Sequence, residues 1–367
     1  TFVAAEADGP DAAPLDHFVR DTRIEPTEEP TFARFPTWMW ANAQVLSFVQ
    51  WLRQHNRQFR QPDDRVAFYG LDLYSLFSSI NAVLNYLERV DPVAAEIARK
   101  RYGCLSPWEH DPALYGRAAL LGRHRGCEPE VVAMLADMMQ KRLDYAARDG
   151  RNYLDAVANA RLIRDAERYY KIMYYGSVQS WNLRDQHMFE TLNMLLEYHG
   201  RGAKGVVWAH NSHLGDASAT EMGARGEFNV GQLARQRFHD RAYLVGFGTH
   251  MGTVAAASDW GGPVEFKAVR PSHPESYERV CHDSGVKTFM LPLRDRDAKM
   301  TQSLMQPRLE RAIGVIYRPE TEVQSHYFQA SLPRQFDEYI WFDETSPVSP
   351  LGPESGEGIP ETFPFGL

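Results

Sequence analysis

Several common catalytic devices are missing from this sequence. It has no GxSxG turn, no GxxxxGKS loop and no GxGxxG after a strand, which argues against an ordinary serine esterase and a nucleotide-binding enzyme. Cysteine is scarce, with only Cys104, Cys127 and Cys281. Three widely spaced cysteines suggest neither a disulfide framework nor a CxxC metal site. They read as three reduced thiols in a cytoplasmic protein. No apolar run approaches the roughly 18 residues that a membrane span requires, and the opening TFVAAEADGP has no signal-peptide character. Net charge is -8, and no face rich in Lys and Arg stands out, which argues against a nucleic-acid partner. What is present is ordinary globular composition, 44% hydrophobic and 24% charged over 367 residues. That is enough for one large domain or two to three smaller ones.

Short apolar runs recur between helical patterns: FVAAEAD at 2–8, RVAFYGLDL at 65–73, GVVWAH at 205–210, AYLVGFGTH at 242–250 and TFMLPL at 288–293. Continuous apolar strands alternating with helices predict an α/β fold, a mainly parallel sheet with flanking helices. The chain opens inside the first of these strands, so further residues are expected ahead of Thr1. Over 37–56, Trp40, Val45, Phe48 and Leu52 fall on one helical stripe. The aromatic group Trp38, Trp40, Phe48 and Trp51 reads as core.

From 78 to 182 no strand is evident, which predicts a large all-helical insertion. Val132, Leu135, Met139, Leu143 and Ala146 mark one helix there, and Ala156, Ala160, Ile163, Tyr170 and Met173 another. Asn182 and Asp185 resemble a capping box, with Gly200 closing the helix that they open. The α/β core is then 1–77 plus 183–300. GVIYRP at 314–319 and YIWFDET at 339–345 supply C-terminal strands within 301–346 that complete the fold. A tail rich in Pro and Gly, read as poorly ordered, fills 347–367.

The strand ends are unusually polar. The first closes on Glu6 and Asp8, the second on Asp72, the third on WAHNSH with His210, Asn211 and His213, and the fourth on Thr249 and His250. Ligands of open α/β sheets bind outside the carboxyl ends of the strands. Four such ends on one rim therefore point to a catalytic or binding site. Each residue also has a plainer role: Glu6 can cap the following helix, and a loop histidine usually just completes a hydrogen-bond network. Two histidines three apart after a strand suit acid–base work near neutrality. Metal ligation is the weaker reading, because no further ligand stands at helical spacing. No cofactor is called for. The glycines of EMGARGEFNVGQL at 221–233 read as a flexible loop, with Asn229 capping the helix that follows.

The ordered segments VAAEADGPDA, RFPTWMW, FYGLDLYS, WNLRDQHM, VVWAHNSHLGDA and RAIGVIYRPET resemble the erythromycin esterase family over essentially the whole chain apart from the tail. The resemblance implies an α/β sheet with a helical insertion and a smaller α+β region. It also implies hydrolysis of a small-molecule ester or lactone, macrolides among them, by direct attack of water without a covalent intermediate. Some members are labelled as succinoglycan-biosynthesis proteins. By the same resemblance Glu6 orients water or the base, and His210 and His213 carry proton transfer or the oxyanion contact. Arg184 and Asp185 belong to an RDxxM segment, with Arg184 meeting developing negative charge. Asp72, Asn211 and His250 are the remaining candidates for substrate contact. The family's GExxHG segment, with the histidine taken as general base, would stand ahead of Glu6 and is absent from this chain. The alternative is therefore a non-catalytic binding or accessory protein that keeps the cleft.

Overall fold

Six of the seven residues of β1 (Phe2–Asp8) are buried, as a strand covered on both faces requires. A computed structural model of the chain describes residues 1–21, 36–109, 112–174, 177–294 and 298–351. Most of the tail predicted at 347–367 lies outside them. The described residues form two compact units, one holding 1–21 and 46–208, the other 36–45 and 209–351.

In the first unit, β1 is the central strand between β2 (Ala67–Asp72) and β3 (Gly205–Trp208), and both pairings are parallel. The three predicted strands thus form one sheet in the expected sense. The register with β2 slips between Ala5 and Asp8. Gly70 makes the close approach there possible, since a Cβ on it would stand 2.4 Å from the Ala7 carbonyl oxygen. Helix α1 (Gly9–Arg20) follows β1, with Asp8 and not Glu6 at its N-cap position. After α2 (Thr37–Trp40), the Asn42 side chain accepts the Val45 N–H at 2.9 Å and starts α3 (Ala43–Asn56). The single helix expected over 37–56 is therefore two. Trp38 and Trp40 are buried as predicted, whereas Trp51 is 57% exposed.

Between β2 and β3 the described residues carry helices only: α4 (Leu76–Val90), α5 (Pro92–Tyr102), α6 (Pro112–Leu120), α7 (Glu128–Gln140), α8 (Arg142–Ile172) and α9 (Ser177–His199). They share one apolar core that includes Leu76, Val83, Val131, Met134, Ile163 and Tyr170. The second predicted stripe, from Ala156 to Met173, is buried throughout. The first is misplaced. The helix breaks at Lys141, Val132 and Leu143 are exposed, and α7 buries Val131, Met134, Leu135 and Met138 instead. Asn182 is no cap either, because α9 begins five residues earlier at Ser177. Cys104 and Cys127 are bonded to each other, tying the end of α5 to the start of α7. This corrects the reading of three reduced thiols, and the cytoplasmic expectation loses that support. Only Cys281 is free among the described residues.

The second unit departs further from expectation. Its four-stranded sheet runs in the order β5-β4-β9-β6, from β4 (Val245–Ala256), β5 (Glu265–Val269), β6 (Thr288–Pro292) and β9 (Glu338–Thr345). Only β4 and β9 are parallel, while β5 and β6 pair antiparallel. A mainly parallel single sheet is thus corrected to a parallel three-stranded sheet and a separate mixed one. β7 (Arg308–Arg311) and β8 (Tyr327–Ala330) form an antiparallel pair. The strand expected at 314–319 is reduced to one bridge between Ala257 and Ile316. Helices α10 (Asn211–Leu214), α11 (Glu221–Ala224), α12 (Val230–Phe238) and α13 (Tyr277–Asp283) complete the parts needed below.

Candidate active site

Glu6 and Asp72 come from neighbouring strands near their carboxyl ends, and Arg184 on α9 holds both. One Arg184 nitrogen, Nη2, donates to Glu6 Oε1 at 2.8 Å and to Asp72 Oδ2 at 2.6 Å, while Nε donates to Asp72 Oδ1 at 3.0 Å. The Asp72 contact is the two-pronged guanidinium–carboxylate geometry that fixes direction as well as distance. All three side chains are nearly buried. Burial lowers the Arg184 pKa, but Asp72 first and then Glu6 overcome it and hold the group well above the ordinary guanidinium value. The Tyr74 ring lies 5.0 Å from the guanidinium carbon, and its backbone N–H donates to Asp8 Oδ1 at 2.9 Å. Burial pushes the Tyr74 phenol well above its usual range, so it stays neutral. Asp185, next to Arg184 on α9, is fully buried. The capping role for Glu6 does not survive, since its carboxylate accepts from Arg184 and Asp8 takes the cap position.

The WAHNSH segment belongs to the second unit. His210 is the N-cap of α10, and its Nδ1 accepts the Ser212 N–H at 3.2 Å. Its Nε2 lies 3.0 Å from the Ile313 carbonyl oxygen. An acceptor at Nδ1 and a carbonyl facing Nε2 select the neutral tautomer with the proton on Nε2. Both ring nitrogens are then engaged. Asn211 pins the loop to β4: its Nδ2 donates to the Phe247 carbonyl at 2.7 Å, and its Oδ1 accepts the Phe247 N–H at 3.2 Å. His213 is buried, and its backbone N–H donates to the His210 carbonyl at 2.9 Å.

Sequence reading missed how Asn229 serves this loop. It caps α12 as expected, accepting the Gln232 N–H at 2.9 Å. Its Nδ2 also donates to the Ser212 carbonyl at 2.7 Å and the Gly215 carbonyl at 2.5 Å. The 221–233 stretch is not one open loop but carries α11 and the start of α12. Gly231 lets α12 pass close to the loop, because a Cβ there would stand 2.1 Å from the Leu214 oxygen.

His250 does not end its strand, for β4 continues six residues further to Ala256. Its Nδ1 lies 2.7 Å from Ser272 Oγ, and its ring stacks on His282 at 3.6 Å. Burial first, then the His282 charge, lower its pKa. Because β4 pairs with β5 and β9, the reading of four strand ends on one parallel rim contracts to the ends of β1, β2 and β3. Among the described residues no group of three or more His, Cys, Asp or Glu is arranged to hold a metal ion.

The sequence profile of the erythromycin esterase family matches residues 1–345. The chain belongs to that family. Its fold is similar to that of a succinoglycan biosynthesis protein of known structure, at TM-score 0.77 and 20% identity over 95% of this chain and 81% of that one. A Bacillus cereus protein is similar at TM-score 0.76 and 18% identity, covering 96% and 82%. A mutant of the erythromycin esterase EreC in its open conformation is similar at TM-score 0.67 and 14% identity, covering 96% and 84%. At these identities the structures speak for the fold alone. Family membership indicates an esterase-type hydrolase acting on a small molecule. No helix among the described residues is long and apolar enough to cross a membrane.

Proposed function

We propose that this erythromycin-esterase-family protein hydrolyses an ester or lactone by direct attack of water, with Glu6 and His213 as its working groups. The observation that carries the reading is the clamp of Arg184 on Glu6 and Asp72. Three nearly buried charges, two near strand carboxyl ends and one on a helix, spanning 178 residues of sequence, are a costly way to hold two strands and a helix together. Their arrangement makes sense where a carboxylate must be aimed. Glu6 takes the role of orienting the attacking water. Arg184 is committed to two carboxylates, so it is assigned as the positioning residue for Glu6 and not as the group that meets charge on the substrate. Proton transfer is assigned to His213 on the family resemblance of the WAHNSH segment, while His210 has both ring nitrogens engaged. In the reaction the water oxygen bonds to the acyl carbon as it gives up a proton, the carbon–alkoxy bond breaks, and the departing oxygen is protonated.

Replacing His213 by Asn in the intact native protein tests the assignment. Products from a macrolide lactone and from simple esters are followed by mass spectrometry for the gain of one water. Turnover should fall by about 10²–10⁴, the usual contribution of a positioned proton-transfer group, while the thermal melt stays within a few degrees. Unaltered turnover removes His213 from the mechanism.

A further inference from the structure

A cleft in the first unit is bounded by α1, β2, α8 and α9. Its walls are largely apolar, with Ala12, Ala158, Leu162 and Leu195 among them. Asp72 lines one side, but Glu6 and Arg184 do not take part. Two polar residues in the lining, His187 and Asn159, are arranged in a way that packing alone does not call for.

The first is His187 on α9. It is buried, and its Nδ1 lies 2.8 Å from Asp165 Oδ2. Asp165 in turn receives Arg164 through Nε at 2.7 Å and a second nitrogen at 2.8 Å. Burial opposes the Asp165 charge, but His187 and Arg164 overcome it and hold its pKa at about 2. A charged carboxylate facing Nδ1 places the proton on that nitrogen. His187 has no other hydrogen bond among the described residues, so Nε2 is left for whatever enters the cleft.

The second is Asn159 on α8. Its Nδ2 donates to the Asp155 carbonyl at 2.8 Å, while its Oδ1 is buried and accepts no hydrogen bond. A buried acceptor left unpaired costs the full desolvation of that group. A ligand donor that reaches it recovers the cost.

We propose that this cleft binds a small, mainly apolar molecule bearing a hydroxyl or N–H donor. Asn159 Oδ1 accepts from that donor, and His187, aligned by Asp165, makes the second polar contact. The cleft shares Asp72 with the Arg184 cluster, but the proposal uses none of the hydrolytic roles and stands or falls without them.

The test uses the full chain labelled with ¹³C and ¹⁵N in histidine, with the His187 ring signals assigned by their loss in His187→Gln. Cyclohexanol and cyclohexanone are the probes, because both fill the same space but only the alcohol donates. Cyclohexanol should shift the His187 signals to saturation, and cyclohexanone should bind several-fold more weakly. Asn159→Ala should bring the alcohol down to the level of the ketone. Ala158→Leu, which replaces one strong helix former by another, should fill the cleft and abolish both responses while the amide spectrum stays native. An equal response to alcohol and ketone overturns the proposal. So does a shift that never saturates, or one that persists in Ala158→Leu, since either leaves the cleft with ordered water only.

Discussion

Each unit buries two acidic side chains close together, and the two solve the resulting problem in opposite ways. In the first, Glu6 and Asp72 are held by the Arg184 guanidinium. In the second, Glu278 on α13 and Glu310 on β7 are almost completely buried. Burial, then the Glu278 charge, push Glu310 up to about 8, against a pull from the Gln335 amide. Burial raises Glu278 as well, against the Arg311 N–H and charge. One pair is matched by a cation, and the other gives up charge by keeping a proton. A carboxylate must be aimed to orient water, and only the first arrangement fixes its carboxylates on a guanidinium. On the proposed reading, the comparison separates acids placed for chemistry from acids tolerated by the fold.

The largest expected effect breaks the first arrangement. Arg184→Met leaves two buried carboxylates without their cation. Removing one partner of a buried ion pair typically costs about 3–5 kcal/mol, so chemical denaturation should show a loss of that order, with turnover abolished. Arg184→Lys keeps the charge but not the two-pronged contact with Asp72. It should retain most of the stability and lose most of the turnover. If Arg184→Met unfolds the chain while Arg184→Lys works normally, Arg184 neutralises charge and does not position Glu6.

That cluster was only half legible in the sequence. β1, β2 and β3 announce themselves through continuous apolar runs, and the polar residues at their ends follow. Nothing local, however, connects Glu6 to an arginine 178 residues away. The bulge at Ala5 and Asp8 that moves the helix cap past Glu6 is likewise a property of strand pairing and not of residue type. Where signals were local, reading succeeded, as with Asn229 capping α12. Where a local signal was ambiguous it misled: Thr249 and His250 look like a strand end, yet small residues carry β4 on to Ala256. The charged runs EFKAV and RLER hid β5, which is largely exposed, and β7, which buries the charged Glu310 and Arg311. Lys141 breaks a helix without Pro or Gly, so the stripe across it was placed one residue off.

The next effect tests the proton-keeping pair. Glu310 has a folded pKa near 8 against an ordinary value of 4.5. A raised carboxyl pKa means that the unfolded chain releases its proton first as pH rises. The stability tied to Glu310 is therefore full below 4.5 and lost between 4.5 and 8. The melting temperature should decline by several degrees across that window, and Glu310→Gln, which stays neutral at every pH, should flatten the decline. An unchanged slope in Glu310→Gln would assign the pH dependence to other groups.

The smallest effect has the opposite sign and belongs to the first unit. Asp165 is held near 2 by His187 and Arg164 against its burial, below an ordinary value of 3.8. Its contribution is present above 3.8 and is lost as pH falls towards 2. The interval is about half that of Glu310, so the slope should be correspondingly modest. Urea midpoints measured from pH 4 downwards should fall more gently in Asp165→Asn than in the native chain, with a constant offset above pH 4 from the weakened His187 contact. Other carboxylates titrate in the same range in both proteins, and their contribution cancels in the difference. A difference that stays flat down to pH 2 would mean that Asp165 does not lose its charge on the way down. The contrast between cation-held and proton-held acids would then rest on Arg184 and Glu310 alone.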